Sequence, residues 1–308
     1  MSSHERVVAE ADAGVRLDAY VGREIGLSRA KVKELFEAGR VRVDGRSAKK
    51  GQSLSAGQKV TVPVEETAAA LVPSPEASLS LLHTDAALVF IDKPAGVPSH
   101  PLRPGETGTV ANALVARFPE CADASEDPRE GGLCHRLDVE TSGVLLAARS
   151  RLTWKAVRDL FTRRKIDKRY WAVVVGPIGD EGEIELPLRH HPRHPDRVEA
   201  DPSHGSDARE AFTAFKVLSR TGEAALVEAR ITTGVLHQIR AHFAAVGAPL
   251  LGDALYGGPP AAGLNRFFLH ARALALRHPD GGAEVRVVSP LPEELVAQLS
   301  KLRLTSPG

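Results

Sequence analysis

Hydrophobic and polar positions alternate with a helical period in the first fifth of the chain. Residues 17–25 and 29–38 each place apolar side chains three or four positions apart, which is typical of a short amphipathic helix. In the second segment Val32, Leu35 and Phe36 fall on one face, and the charged residues fall elsewhere. The pattern therefore predicts two consecutive short helices.

Signals for the ends of these helices and for a small β-ribbon follow. Ser28 is a plausible N-cap of the second helix, and Gly39 is a plausible residue just after its end. Residues 41–43 alternate into Asp44-Gly45, a pair typical of a hairpin turn, and residues 59–62 resemble a closing strand. We therefore predict a compact domain over residues 10–64.

Two further segments complete the predicted organisation. Residues 65–78 combine turn formers and charges without a period, so we interpret them as a linker. In the remainder, 79–308, apolar runs and alternating stretches predict strands at 87–91, 170–175, 226–232 and 284–288. Helical periodicity predicts helices at 154–164 and 237–246. Because strands and helices do not alternate regularly, we expect an α+β domain with a mixed, mostly antiparallel sheet.

Composition adds the class of protein. The 308 residues suggest about two domains, and the 43% hydrophobic and 26% charged residues match ordinary soluble proteins. Only Cys121 and Cys134 occur, which indicates no disulfide framework and favours a cytoplasmic, reducing environment. The N-terminal residues do not resemble a secretory signal, and no apolar run of about 18 residues predicts a transmembrane helix.

Charge is distributed unevenly, although the net charge is only +1. Residues 15–63 carry eleven Lys and Arg against five Asp and Glu, so the rest of the chain is mildly acidic. A basic module attached to an acidic body is typical of a unit that binds a polyanion.

The sequence contains few motifs typical of metal sites, nucleotide-binding sites or the common hydrolases. His190, His191, His194 and His204 crowd a segment rich in Pro, Asp and Arg, but without a zinc-binding spacing, and we interpret that segment as a solvated loop. No nucleophile elbow, Walker loop or dinucleotide fingerprint is present. We therefore predict no metal and no cofactor.

The sequence LCHRLDVETSG at 133–143 places Asp138 beside His135 and Arg136. Such an acid could belong to an ion-paired surface turn or could be a catalytic carboxylate held in its charged form. In isolation the structural interpretation is the more frequent one, and the segment alone does not decide between them.

Several segments in order share a resemblance to one family. They are IDKPAGVPSHP at 91–101, HRLDxxTSG from residue 135, FTRRKIDKRYWAVVVG at 161–176, TGVLHQIRAHFAAVGAPLLGDALYG at 233–257 and RFFLHARALALRHP at 266–279. Together they resemble the RluA-type pseudouridine synthases, which isomerise uridine in RNA. The N-terminal domain resembles the small RNA-binding module named after ribosomal protein S4. The resemblance covers nearly the whole chain.

The resemblance implies an isomerase of the pseudouridine synthase fold. The reaction breaks the N1–C1′ bond of uridine and joins C5 to C1′, without gain or loss of atoms or electrons, so no cofactor is implied. By the resemblance, Asp138 is the catalytic nucleophile and Arg240 is its cationic partner. Tyr170 stacks on the uracil with its hydroxyl near C5, and it either takes the C5 proton or only stacks. We expect Asp138 to pair with Arg240 rather than with its neighbour Arg136, and His135 to serve as scaffold.

RNA contacts are expected at further basic residues. Arg136 is expected to fill the space left when the target nucleotide is flipped out, and the N-terminal domain to bind phosphates. The candidate residues of that domain are Arg29, Lys31, Lys33, Arg40 and Arg42. Lys93, Lys168 and Arg266 either bind phosphates or lie on the solvated surface.

The sequence leaves two questions open, the RNA substrate and the effect of one departure from the family pattern. Val235 stands where the family commonly has Arg, which affects target selection. Large-subunit ribosomal RNA is the expected substrate, with transfer RNA as an alternative. Two other classes are a non-catalytic ribosome-assembly factor that binds RNA, and, with less support, a hydrolase built on the histidine-rich segment. A monomer is the default expectation.

Overall fold

A computed structural model describes residues 3–25, 29–63 and 71–307. The chain divides into two compact units, Met1–Ala68 and Ala69–Gly308. Within the described residues no helix has the length and apolarity needed to cross a membrane.

The small unit contains two helices and four short strands. The helices are α1 (Leu17–Ile25) and α2 (Arg29–Glu37), and the strands are β1 (Ser3–Val7), β2 (Arg42–Val43), β3 (Arg46–Ser47) and β4 (Lys59–Pro63). The strands form an antiparallel sheet in the order β1-β4-β2-β3. Both predicted helices and the ribbon are therefore confirmed, whereas the proposed cap Ser28 lies outside the described residues.

Two positions show why the local sequence adopts this shape. Asp44 and Gly45 both have positive φ, 50° and 77°, which is the geometry of a tight turn between β2 and β3. The apolar faces of α1 and α2 close over the sheet in a separate core that includes Leu17, Val32 and Leu35. The small unit begins before the predicted boundary at residue 10, because β1 pairs with β4.

The large unit is built on a nine-stranded sheet. Its strands are β5 (Leu81–Thr84), β6 (Leu88–Lys93), β7 (Ser142–Ala148), β8 (Asp167–Val175), β9 (Glu181–Glu185), β12 (Phe212–Thr221), β13 (Ala224–Ile231), β14 (Leu269–Arg277) and β15 (Glu284–Val288). Their order is β5-β6-β7-β14-β8-β13-β12-β9, with β15 beside β14. Only the β7–β14 pair within this sheet is parallel, so the expected α+β fold with a mostly antiparallel sheet is confirmed.

Helices cover both faces of this sheet. They are α3 (Val110–Arg117), α4 (Arg151–Thr162), α5 (Gln238–Ala245) and α6 (Glu293–Leu302). Helices α3 and α5 share a core with Tyr170 and Ala172 of β8, whereas α6 shares another with Trp171 and Val173. Because side chains alternate along a strand, these cores lie on opposite faces. Central strands buried on both faces appear in the sequence as continuous apolar runs.

Two interpretations of segments were wrong. Residues 188–200 of the histidine-rich segment form a hairpin of β10 (Leu188–His191) and β11 (His194–Ala200) and not a solvated loop, because Leu188 and Val198 pack into a small apolar cluster. His204 alone lies in an exposed turn, as expected. Residues 71–78 do not behave as a linker, since Leu71 enters the main core of the large unit. Residues 64–70 lie outside the described part of the chain.

Candidate active site

Asp138 lies in a tight turn that leads directly into β7. The turn closes through a hydrogen bond from the Thr141 backbone N–H to the Asp138 carbonyl, 3.0 Å. The Asp138 side chain is 20% exposed. At the start of β7, Gly143 has φ 114°, and a Cβ there would lie 2.2 Å from the carbonyl oxygen of Ala271. Only glycine therefore permits this close approach of β7 to β14.

Buried polar side chains hold the backbone on both sides of Asp138. The Ser99 hydroxyl donates to the Leu137 carbonyl (2.9 Å) and accepts from its N–H (3.1 Å). Lys93 Nζ donates to the carbonyls of Val139 (2.9 Å), Pro94 (2.7 Å) and Val97 (2.7 Å). Lys93 is fully buried, so it neither binds phosphate nor lies on the solvated surface, the two locations expected from the sequence. Burial lowers its pKa to about 7.

The other two cations assigned to phosphate or surface are also buried. Lys168 Nζ donates to the Thr233 carbonyl at 2.6 Å, and burial lowers its pKa to about 8. Arg266 donates to the Glu140 carbonyl at 2.9 Å and is likewise buried. The three side chains bind main-chain carbonyls that surround the site, and they are buried rather than solvated.

Arg240, in the first turn of α5, forms the predicted contact with Asp138. Its Nη1 lies 3.3 Å from Asp138 Oδ2, although the two residues are distant in sequence. Within the described residues Arg136 makes no hydrogen bond or ion pair with Asp138, and its side chain is exposed. The expected preference for the distant arginine is therefore confirmed.

Asp253 holds Arg240 more closely than Asp138 does. Arg240 Nε and Nη2 donate to the two carboxylate oxygens of Asp253 at 2.7 and 2.9 Å. Burial alone would lower the pKa of Arg240, but the hydrogen bonds and charge of Asp253, with the charge of Asp138, raise it above its ordinary value. The guanidinium therefore stays charged, and its orientation is fixed by a two-pronged contact.

Aromatic rings complete the surroundings of Arg240. The guanidinium lies 4.1 Å from the ring centroid of Phe267 and 5.0 Å from that of Tyr256. Our sequence analysis assigned no role to Asp253, Tyr256 or Phe267, although all three lie within the matched segments. Two signals could have found Asp253 and Tyr256. They are three positions apart in one matched segment, and a buried arginine such as Arg240 needs more than one acceptor.

His237 precedes α5 in a left-handed conformation, with φ 51°. Its Nδ1 lies 3.2 Å from the Tyr256 hydroxyl, and its Nε2 lies 3.9 Å from Asp138 Oδ2. Burial lowers the pKa of His237, although the Asp138 carboxylate opposes that shift. A non-glycine residue held in this strained region often marks a functional site.

Tyr170 and His135 are both held in their neutral forms. Tyr170, on β8, is 7% exposed, and burial raises the pKa of its hydroxyl far above the usual range, with the Asp138 charge adding to the shift. Burial lowers the pKa of His135 to about 3, and its Nε2 accepts a hydrogen bond from the Leu146 backbone at 3.1 Å. His135 therefore supports β7, in line with the expected scaffold.

Asp138, Tyr170, Arg240 and Arg136 line one cavity of about 720 Å³. Further basic residues of its wall are Arg158, Arg164, Lys168 and Arg209. A cavity of this size with convergent polar groups is typical of a binding site for a small molecule or a nucleotide. Among the described residues, no three His, Cys, Asp or Glu side chains are grouped so that they could hold a metal ion.

The remaining candidates lie in the small unit. Arg40 and Arg42 are exposed, and Arg42 Nη1 donates to the Gly45 carbonyl at 3.3 Å. Lys33 is exposed and lies 3.6 Å from Glu37. The side chains of Arg29 and Lys31 lie outside the described part of the structure.

Comparisons with known proteins agree over nearly the whole chain. The model of the RNA pseudouridylate synthase family matches residues 87–245. Ribosomal large subunit pseudouridine synthase D of Xanthomonas campestris is 35% identical over 98% of this chain and 93% of its own. An uncharacterized RNA pseudouridine synthase of Mycobacterium bovis is 36% identical over 98% of this chain and 99% of its own.

Solved structures give the same result over about three quarters of the chain. The human RNA pseudouridylate synthase domain containing 4 is 30% identical and covers 74% of this chain and 95% of its own, with a TM-score of 0.59. The human domain containing 1 is 25% identical, covers 73% of this chain and 89% of its own, and has a TM-score of 0.56. The chain belongs to the RNA pseudouridylate synthase family, as its RluA-type motifs predicted, and is an isomerase that acts on RNA.

Proposed function

We propose that this protein converts specific uridines of large-subunit ribosomal RNA into pseudouridine, with Asp138 as the nucleophile. The observation that carries the proposal is the convergence of Asp138, Arg240 and Tyr170 in one cavity. The choice of RNA is supported by relatives from Xanthomonas, Xylella and Nitrosomonas, each named as a ribosomal large subunit synthase.

Arg240 prepares Asp138 for this role. Arg240 contacts Asp138 at 3.3 Å through a single nitrogen and orients the carboxylate, so one carboxylate oxygen of Asp138 keeps no contact with that guanidinium. Attack of the carboxylate on C1′ then breaks the N1–C1′ bond and forms a covalent intermediate.

Tyr170 completes the proton transfer. After the uracil has turned, C5 bonds to C1′ and Asp138 leaves as a carboxylate. The C5 proton must then be removed, but the Tyr170 phenol already carries a proton because its pKa is raised. We propose that Tyr170 takes the C5 proton while it passes its own hydroxyl proton to the released Asp138, which later loses it to water. The electron pair of the C5–H bond restores the uracil ring, and N1, freed from C1′, takes up a proton from water, so that no atom is gained or lost.

The target nucleotide must leave its base stack to reach this cavity, which costs a few kcal/mol. Arg136 is exposed at the cavity wall beside Asp138, so its planar head can occupy the vacated stack. The basic small unit, which we interpret as an S4-like module, adds contacts to phosphates that weaken as salt increases.

A tritium-release assay on RNA labelled at uridine C5 tests the proposal. We expect release from large-subunit ribosomal RNA, none from transfer RNA, and none with Asp138→Ala despite retained RNA binding. Release by Asp138→Ala would reject the nucleophile, and release only from transfer RNA would reject the substrate. RNA binding by the wild type without release from any RNA would instead indicate a non-catalytic assembly factor.

A further inference from the structure

Arg266 holds the turn that carries Asp138, although it is not in contact with Asp138 itself. Its Nη1 donates to the Glu140 carbonyl at 2.9 Å, and its Nη2 donates to the Ser142 hydroxyl at 3.1 Å. These two acceptors lie two and four residues after Asp138. Arg266 therefore fixes the exit of the turn where the chain enters β7.

Two further contacts fix Arg266. Nη2 also lies 2.9 Å from the Glu294 carboxylate, in the first turn of α6. The Ser142 hydroxyl lies 2.9 Å from His270 Nδ1 and donates to that nitrogen, because the proton of the neutral His270 ring is on Nε2, which faces the Ser289 carbonyl at 3.3 Å. Glu294, Arg266, Ser142 and His270 thus form a chain from α6 to the Asp138 turn.

The residue next to Arg266 touches the other half of the ion pair. The Phe267 ring lies under the Arg240 guanidinium, 4.1 Å from its centroid to the guanidinium carbon. The Arg266 carbonyl packs tightly on Gly252, where a Cβ would lie only 2.4 Å away. Gly252 directly precedes Asp253, the residue that orients Arg240. Arg266 therefore contacts the turn that carries Asp138, and its neighbour Phe267 contacts Arg240.

We propose that Arg266 and Phe267 are positioning residues that set the distance between the Asp138 carboxylate and the Arg240 guanidinium, and that Glu294 orients Arg266 for this task. The inference rests on the proposed function, because the distance between Asp138 and Arg240 matters for that reaction. A displacement of about 1 Å in a reacting group lowers a rate by roughly a hundredfold, so this support acts on turnover more than on RNA affinity.

Arg266→Lys tests the inference, because it keeps the positive charge but cannot reach Glu140, Ser142 and Glu294 with one nitrogen. Arg149→Lys is the matched control. Arg149 follows the opposite end of β7 and likewise donates to a carbonyl, that of Asp85, and to a carboxylate, that of Glu120. Single-turnover tritium release, RNA affinity and melting temperature are measured for both.

We expect Arg266→Lys to lower the single-turnover rate roughly 10- to 100-fold with RNA affinity unchanged, and Arg149→Lys to retain the wild-type rate. Given release by the wild type, equal rates in wild type and Arg266→Lys, or equal losses in both variants, would overturn the inference. If Arg266→Lys does not fold, Phe267→Leu replaces it, since leucine fills the core without a ring face, and the same outcomes apply.

A crystal structure of the variant separates this inference from the proposed function. We expect the contact between Arg240 Nη1 and Asp138 Oδ2, 3.3 Å in the native chain, to be lost. An unchanged contact overturns the inference even if the native protein releases no tritium. The absence of release by the native protein counts against the proposed function alone.

Discussion

Asp138 and Asp253 share one guanidinium, that of Arg240. Asp253 takes two of its nitrogens, at 2.7 and 2.9 Å, and Asp138 takes the third at 3.3 Å. The two carboxylates therefore have different tasks. Asp253 is almost completely buried and orients the arginine, whereas Asp138 is partly open to the cavity. In the proposed reaction, Asp253 keeps Arg240 in place while Asp138 changes partner.

Replacing Asp253 should damage both stability and activity. Asp253→Asn leaves the buried Arg240 without its main acceptor, and breaking a buried ion pair costs about 3 kcal/mol or more of unfolding free energy. We expect tritium release to fall more than about tenfold as Arg240 loses its orientation. Chemical denaturation and the release assay measure the two effects.

Asp127→Asn provides the control for that variant. Asp127 pairs with Arg129 near the surface, and such pairs contribute about 1 kcal/mol or less. A loss of stability in Asp127→Asn as large as that in Asp253→Asn would show that burial of the pair is not what matters.

Removing the Tyr170 hydroxyl should separate binding from turnover. Tyr170→Phe keeps the ring, so RNA affinity should stay within about twofold, while release falls roughly 10²- to 10⁴-fold because the proton relay is lost. Because the pKa of the native hydroxyl is raised, its ionisation should produce no inflection in the rate up to about pH 10. A Tyr170→Phe variant with native turnover would show that the ring only stacks.

Acid should destabilise the fold through His270. Burial and the nearby cations of Arg266 and Arg272 lower the pKa of His270 to about 4 from 6.5, although the Ser289 carbonyl and Glu294 oppose this shift. The unfolded chain therefore binds the proton more readily, so stability is complete above about pH 6.5 and is lost as the pH falls towards 4. The loss reaches at most about 3 kcal/mol.

Denaturant titrations across this pH range check the prediction. His270→Asn cannot take up the proton, so its unfolding free energy should depend less on pH than that of the native protein. His204→Asn, at an exposed position with positive φ, should keep the native dependence. If the pH dependence were the same in all three proteins, His270 would not be its source.

The small unit should contribute affinity rather than rate. Lys33→Gln together with Arg42→Gln should weaken RNA binding and reduce the slope of log affinity against log salt by about 2, while release at saturating RNA stays native. Lys155→Gln, exposed on α4 of the large unit, is the control and should leave the slope unchanged. A fall in the saturated rate of the double variant would contradict this division of labour.

Periodicity predicted the elements whose pattern is local. Helices α1, α2, α4 and α5 and strands β4, β6, β8, β13 and β15 were all found close to the predicted positions. Strand β1 was missed because its side chains are mostly exposed and show no alternation. The hairpin β10–β11 was interpreted as a loop because Leu188 and Val198 are its only large aliphatic residues, and His, Pro, Asp and Arg fill most of the other positions.

The sequence by itself determined the family, the fold class and the basic character of the small unit, since these depend on residue types within continuous segments, and the family resemblance implied the pairing of Asp138 with Arg240. Only the tertiary structure decided what holds that pair. Arg266 and Phe267 shortly precede β14, which pairs with β7 and β8, and Asp253 shortly follows Leu250, which bridges to Val174 of β8. Lys93, Lys168 and Arg266 are buried and donate to main-chain carbonyls, because a cation removed from water needs acceptors nearby. The periodicity of the sequence does not indicate which carbonyls those are.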